Sequence, residues 1–187
     1  MIPIKNRKKT LEATFDEMRN FAFSYIEKYS PSKQQLKTYL LKKYLKASVP
    51  NVKKQDITDL IDTVLSDLEK TKFISDKFYS ESKAKSLIQR GSSINKIRNY
   101  LIFKGINDKY IKETILKINE NNEDQDFFSA IKICKKKRIG PSRIEDNRTL
   151  FYKKDISLLA RNGFNFETSK RVMDLKKDDY LRIINLI

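Results

Sequence analysis

Asp56, Asp59, Asp62 and Asp67 are the residues of this sequence whose type and spacing come nearest to a catalytic set. Carboxylates about one helical turn apart are the raw material of a divalent-cation site, and so of a metal-dependent nuclease. Here they share a segment with Ile57, Leu60, Ile61, Val64, Leu65 and Leu68, whose spacing marks the opposite, apolar face. The acids therefore fall largely on the solvent side and assemble no recognisable site. Histidine is absent from the 187 residues and Cys134 is the one cysteine. That excludes imidazole acid/base catalysis, Ser-His and Cys-His nucleophile pairs, Cys/His zinc centres and an internal disulfide. Cys134, set between Ile133 and Lys135 in a helical pattern, reads as a small buried hydrophobe rather than a reactive thiol. The expectation is a non-enzyme with no catalytic residue, no metal and no cofactor.

What remains for function is charge. The 40 Lys and Arg against 24 Asp and Glu leave a formal net charge of +16, an attractive field for polyanions such as nucleic acid or an acidic protein surface. Any single lysine in so basic a chain is commonly just solvated, so the net excess constrains partners more than any one residue does. The basic start, MIPIKNRKKT, leads into no apolar signal core, and no apolar run approaches the ~18 residues of a membrane helix. A cytoplasmic protein without membrane contact is expected.

The elements that would hold these charges are helices. All four glycines (Gly91, Gly105, Gly140 and Gly163) lie where an apolar period stops, and Pro31, Pro50 and Pro141 lie where a missing N–H costs little. No stretch alternates as a strand, so the chain reads as all-α. The stretch from Ile74 to Ile106 holds two helices. Ser75 or Asp76 caps the first, with Ile74 and Tyr79 placed as a hydrophobic staple, and Gly91 ends it; the second starts near Ser92 or Ser93 and stops at Gly105. In that second helix Ile94, Ile97 and Leu101 face inward while Lys96, Arg98 and Lys104 lie off the stripe.

Before it, a helix over 16–29 is followed by one that Ser30 would cap with Pro31 at its first position, its inner face made by Leu36, Tyr39, Leu40 and Tyr44. A loop at Val49-Pro50-Asn51 precedes the helix from Asp56 to Lys70. After it, Asn107 caps a helix that runs through Ile115 and Ile118 to a solvated NENNED turn. Residues 125–138 form a further helix, which ends in Lys135, Lys136, Lys137 and Arg138; cations there also complement the helix dipole. Residues 139–148 read as a longer loop, and Val172, Leu175, Leu181 and Ile184 give at least one final helix. Most of the aromatic residues fall on the apolar stripes and read as core.

These segments repeat. Leu101, three residues, Gly105 and Ile106 precede a helix with Ile111 and Ile115; Leu159, three residues, Gly163 and Phe164 precede one with Val172 and Leu175. The first third carries Leu40-Leu41-Lys42-Lys43-Tyr44-Leu45 in the corresponding place, without the glycine. The expected architecture is an elongated, curved array of three tandem three-helix repeats. Residues 1–15 form a basic, partly flexible tail, and the repeats cover 16–73, 74–122 and 123–187.

The run Ser75-Asp76-Lys77-Phe78-Tyr79-Ser80-Glu81-Ser82, followed by Gly91, Ile94, Ile97, Arg98, Leu101 and Lys104-Gly105-Ile106, resembles the central motif of the RecX regulators of the RecA recombinase. Leu159-Ala160-Arg161-Asn162-Gly163-Phe164 resembles that family's third-repeat phrase. The likeness extends in outline over residues 16–187, with departures at Lys83, Tyr100 and Asn162. The resemblance implies a non-catalytic modulator that lies in the groove of the RecA–single-stranded DNA filament. There it bridges RecA protomers and regulates, by inhibition, filament growth and RecA activities in DNA repair, recombination and the SOS response. A monomer with weak direct DNA binding of its own is expected. The residues assigned to the filament- and DNA-binding face are Arg90, Lys96, Arg98, Lys104, Lys136, Arg138, Arg148 and Arg161. The alternative is a basic helical nucleic-acid-binding module with no recombinase partner. The segments Gln34 to Lys46 and Asp56 to Lys70 loosely imitate a helix-turn-helix, but the loop between them is too long for its tight turn.

Overall fold

The computed structural model of the chain describes residues 11–47, 52–122 and 124–186. The first ten residues of the expected tail, the Val49-Pro50-Asn51 loop and Glu123 of the acidic turn lie outside the described residues. Ten α-helices follow one another with no strand among the described residues: α1 (Phe15–Tyr29), α2 (Lys33–Ala47), α3 (Lys54–Lys70), α4 (Asp76–Gln89), α5 (Ile94–Phe103), α6 (Asp108–Asn121), α7 (Gln125–Lys137), α8 (Glu145–Arg161), α9 (Phe166–Met173) and α10 (Lys177–Ile184). A 3-10 turn, Gly140–Ser142, stands between α7 and α8. The fold is all-α, and its contacts divide the chain after Tyr79 into two compact units.

The first unit buries the stripes read from its sequence: Met18 and Ala22 on α1, Leu36, Leu40 and Tyr44 on α2, and Ile57, Ile61, Val64, Leu65 and Leu68 on α3. Each fully buried aliphatic side chain contributes about 1.5–3 kcal/mol, which makes these three stripes the unit's main source of stability. Two side-chain pairs, one ionic and one aromatic, link α1 to its neighbours. Arg19 of α1 meets Asp67 of α3 at 2.9 Å, and Tyr25 stacks on Tyr39 with ring centroids 4.0 Å apart. The start of α2 differs from expectation. Ser30 adopts φ +41° and closes α1, its N–H donating to Ile26 O, whereas the cap of α2 is Ser32. Ser32 Oγ accepts from Gln35 N (3.2 Å) and Gln35 Oε1 accepts from Ser32 N (3.1 Å), a reciprocal capping box. A serine two residues later, with glutamine three beyond it, satisfies two amides where Ser30 could satisfy one.

In the second unit, Ile97 and Leu101 of α5, with Ile111, Ile115 and Ile118 of α6, are buried. A further cluster joins Ala130, Ile131 and Cys134 of α7 to Leu159, Phe164, Val172, Met173 and Tyr180. Cys134 is fully buried, and burial, aided by the charge of Asp155, pushes its thiol up to about 12, so it stays protonated and inert. The stretch 139–148 is more ordered than the longer loop expected of it. Asp155, on α8, reaches back to accept from Gly140 N (2.8 Å) and from Arg143 through Nε (2.6 Å) and Nη2 (2.9 Å), which folds the segment onto α8 and starts that helix at Glu145. Burial alone would raise the Asp155 carboxyl; the Arg143 and Gly140 hydrogen bonds outweigh it and hold the group below the usual carboxylate range. The helices α8, α9 and α10 complete the unit after the 3-10 turn.

One contact recurs at matching places. Asp76, opening α4, accepts from Lys33 N at the start of α2; Asp126, in the first turn of α7, accepts from Ile94 N at the start of α5; both bonds are 2.8 Å. In each case a helix caps the start of the helix two before it in the chain. Burial raises both carboxyl groups, against the lowering effect of the hydrogen bond.

Candidate functional site

From Ser82 to Asn107 the chain carries Lys83, Lys85, Arg90, Lys96, Arg98 and Lys104 and not one carboxylate. This stretch is built into α4 and α5. Ser93 sets the start of α5, its Oγ accepting from Lys96 N (3.1 Å), and Gly105, at φ +73°, follows its end. With Ile97 and Leu101 fully buried, Lys96 and Arg98 point to solvent. Lys104 is half-buried, its Nζ 5.4 Å from the centre of the Tyr100 ring and 5.3 Å from that of Phe103. Arg90 is exposed in the turn that ends at Gly91.

The start of α5 is seated against the end of α8. Ser93 Oγ donates to Asn162 O (2.9 Å), Asn95 Nδ2 donates to Gly163 O (3.3 Å), and Lys96 Nζ donates to Asn162 Oδ1 (3.3 Å). Gly163 makes this approach feasible: it adopts φ +88°, and a Cβ there would stand 2.5 Å from Ser93 Oγ. Exposed Arg161, the last residue of α8, directly precedes Asn162, its Nε donating to Ser157 O (3.3 Å) on the same helix. Four of the eight sequence-assigned residues, Lys96, Arg98, Lys104 and Arg161, thus belong to α5 and the turn it rests on.

The others are placed differently. Lys136 and Arg138 are exposed at the C-terminus of α7, roughly 18 Å along the helix from the Asp126 end that meets α5. Arg138 adopts φ +54° as the closing residue of α7. Arg148 faces inward: its Nη2 donates to Met173 O (2.8 Å) and Leu175 O (2.7 Å), and its Nη1 lies 3.2 Å from Glu145 Oε2. It satisfies carbonyls at the end of α9, a structural use of a guanidinium. Of the four α3 aspartates, Asp67 and Asp62 pair with Arg19 and Lys37. Among the described residues no group of three or more His, Cys, Asp or Glu could hold a metal ion, and no helix is long and apolar enough to cross a membrane.

Sequence reasoning missed two features. The Arg143–Asp155 pair gives no signal at a spacing of twelve residues across a Gly-Pro break. Exposed Phe103 was legible: it stands two residues past Leu101 and hence off the apolar stripe of α5.

Two curated proteins resemble the chain, both named regulatory protein RecX. The one from Myxococcus xanthus is 27% identical over 164 residues, covering 84% of this chain and 84% of its own length. The one from Clostridium acetobutylicum is 27% identical over 153 residues, covering 81% of this chain, which spans 65% of that relative. A crystal structure of a regulatory protein RecX shares the fold with a TM-score of 0.60 at 18% identity, over 86% of this chain and 74% of the other. No family model matches the sequence.

Proposed function

We propose that the chain is a RecX-type protein, a non-catalytic regulator of the RecA recombinase, a reading supported by its two relatives named regulatory protein RecX. In this reading it binds the groove of the RecA–single-stranded DNA filament and restrains filament growth, and with it RecA activity in DNA repair, recombination and the SOS response. It acts in the cytoplasm as a monomer and needs no cofactor. The observation that carries the proposal is the carboxylate-free basic stretch from Ser82 to Asn107, set in a chain of net charge +16. A filament built on single-stranded DNA is polyanionic, so a cation-rich surface speeds encounter with it and makes binding weaken as salt rises. The proposed face consists of Arg90, Lys96, Arg98, Lys104 and Arg161, with Lys136 and Arg138 as a second contact. Arg148 is omitted because its guanidinium is committed to α9.

The test is to add the protein to RecA from the same organism on single-stranded DNA and follow ATP hydrolysis. The rate should fall as the protein is added. A rate unchanged at every stoichiometry overturns the proposal.

A further inference from the structure

Phe103 leaves 82% of its surface in water and its neighbour Ile102 57%, on a helix whose apolar positions Ile97 and Leu101 are fully buried. Its surroundings are cationic. Lys104 lies over the ring with Nζ 5.3 Å from its centre, and exposed Lys96 stands seven residues back, two helical turns along the same side of α5. No carboxylate interrupts the chain from Ser82 to Asn107. A purely acidic partner would match the cationic surroundings and leave the ring in water; a purely apolar one would cover the ring and press against charge. An unpaired nucleic-acid strand offers both groups at once, a flat base for the ring and phosphates for the flanking cations, whereas a duplex keeps its base faces stacked inside. We propose that the C-terminal half of α5 is a single-stranded nucleic-acid contact, with a base stacked on Phe103 and adjacent phosphates on Lys96 and Lys104. Arg98, exposed on the same helix, adds to the field without touching the base. This contact is independent of any recombinase.

The chain has no tryptophan, so Phe103→Trp creates a single fluorescent reporter at the site. Titrated with oligothymidylate at low salt, its emission should be quenched. Phe103→Leu, which keeps an apolar side chain but removes the ring, should bind the oligothymidylate on the order of tenfold more weakly with an unchanged melting temperature. Undetectable binding of the wild-type protein, unquenched tryptophan at a saturating strand concentration, or equal affinity of Phe103→Leu would each overturn the proposal. So would a Phe103→Leu protein that loses the RecA filament but still binds oligothymidylate normally, since the surface would then be a protein contact. Because the probe is naked strand, this result and the ATP hydrolysis result can fail separately.

Discussion

Arg143 and Arg148 on one side, Lys96 and Arg98 on the other, are all cations in or beside helices of the second unit, yet they face opposite ways. Arg143 grips a carboxylate that is 1% exposed, and Arg148 donates to two carbonyls at and beyond the end of α9; both serve the fold. Lys96 and Arg98 lie on a helix whose acids are absent and whose buried positions are already taken by isoleucine and leucine, so their charges reach water. The difference teaches that the +16 of this chain is not one surface. What an individual cation does is decided by how far the acceptors folded against it are shut off from water: Lys96 keeps its bond to Asn162 Oδ1 in solvent, whereas Arg143 holds a buried carboxylate. Substitutions near α8 should therefore move stability, and substitutions on α5 should move binding.

The largest effect is expected at the inward pair. Asp155→Ala strips the partner from Arg143 and from Gly140 N, and breaking such a buried pair costs about 3 kcal/mol, read as a lower denaturant midpoint. The pH dependence sharpens the point. Because the folded carboxyl of Asp155 is held below its ordinary range, its contribution is present above that range and is lost as pH falls through the folded value. Wild-type stability should decline in acid, and the decline attributable to Asp155 should vanish in the variant.

A smaller effect is expected where α7 caps α5. Asp126→Ala leaves Ile94 N unpaired and should cost about 1 kcal/mol in chemical denaturation. Asp126→Asn should recover most of that loss. Burial raises the Asp126 carboxyl, so its ionised form is held at neutral pH against a penalty that an amide oxygen, accepting the same 2.8 Å bond, does not incur. An Asn variant as unstable as the Ala variant would show that the charge itself, and not the acceptor, holds the joint.

Much of this fold could be read before its coordinates. The α3 stripe at spacings of three and four was clear because five of its residues have no other place to go. The cap Asn107, the end at Gly105 and a serine cap for α5 at Ser92 or Ser93, which the fold settles as Ser93, followed from local chemistry. What escaped was set by partners further along the chain. Ser30 carries the same cap chemistry as Ser32, and only the glutamine three residues beyond Ser32 decides between them. Residues 139–148 looked like loop because the acceptor that orders them, Asp155, lies on the far side of a helix start. The candidate face divided in the same way: Lys96, Arg98 and Lys104 lay off a visible stripe, whereas the inward turn of Arg148 depends on Met173 and Leu175, 25 and 27 residues away.

The central claim is that outward cations on α5 carry filament binding while the inward Arg148 carries only structure. Co-sedimentation with RecA–single-stranded DNA filaments, at a temperature where all the proteins remain folded, tests it with three samples. The wild-type protein and Arg148→Ala should pellet together with the filament, and the combined Lys96→Ala, Arg98→Ala and Lys104→Ala variant should remain largely in the supernatant. A triple variant that pellets like the wild type, or an Arg148→Ala protein that alone stays behind, would contradict the account.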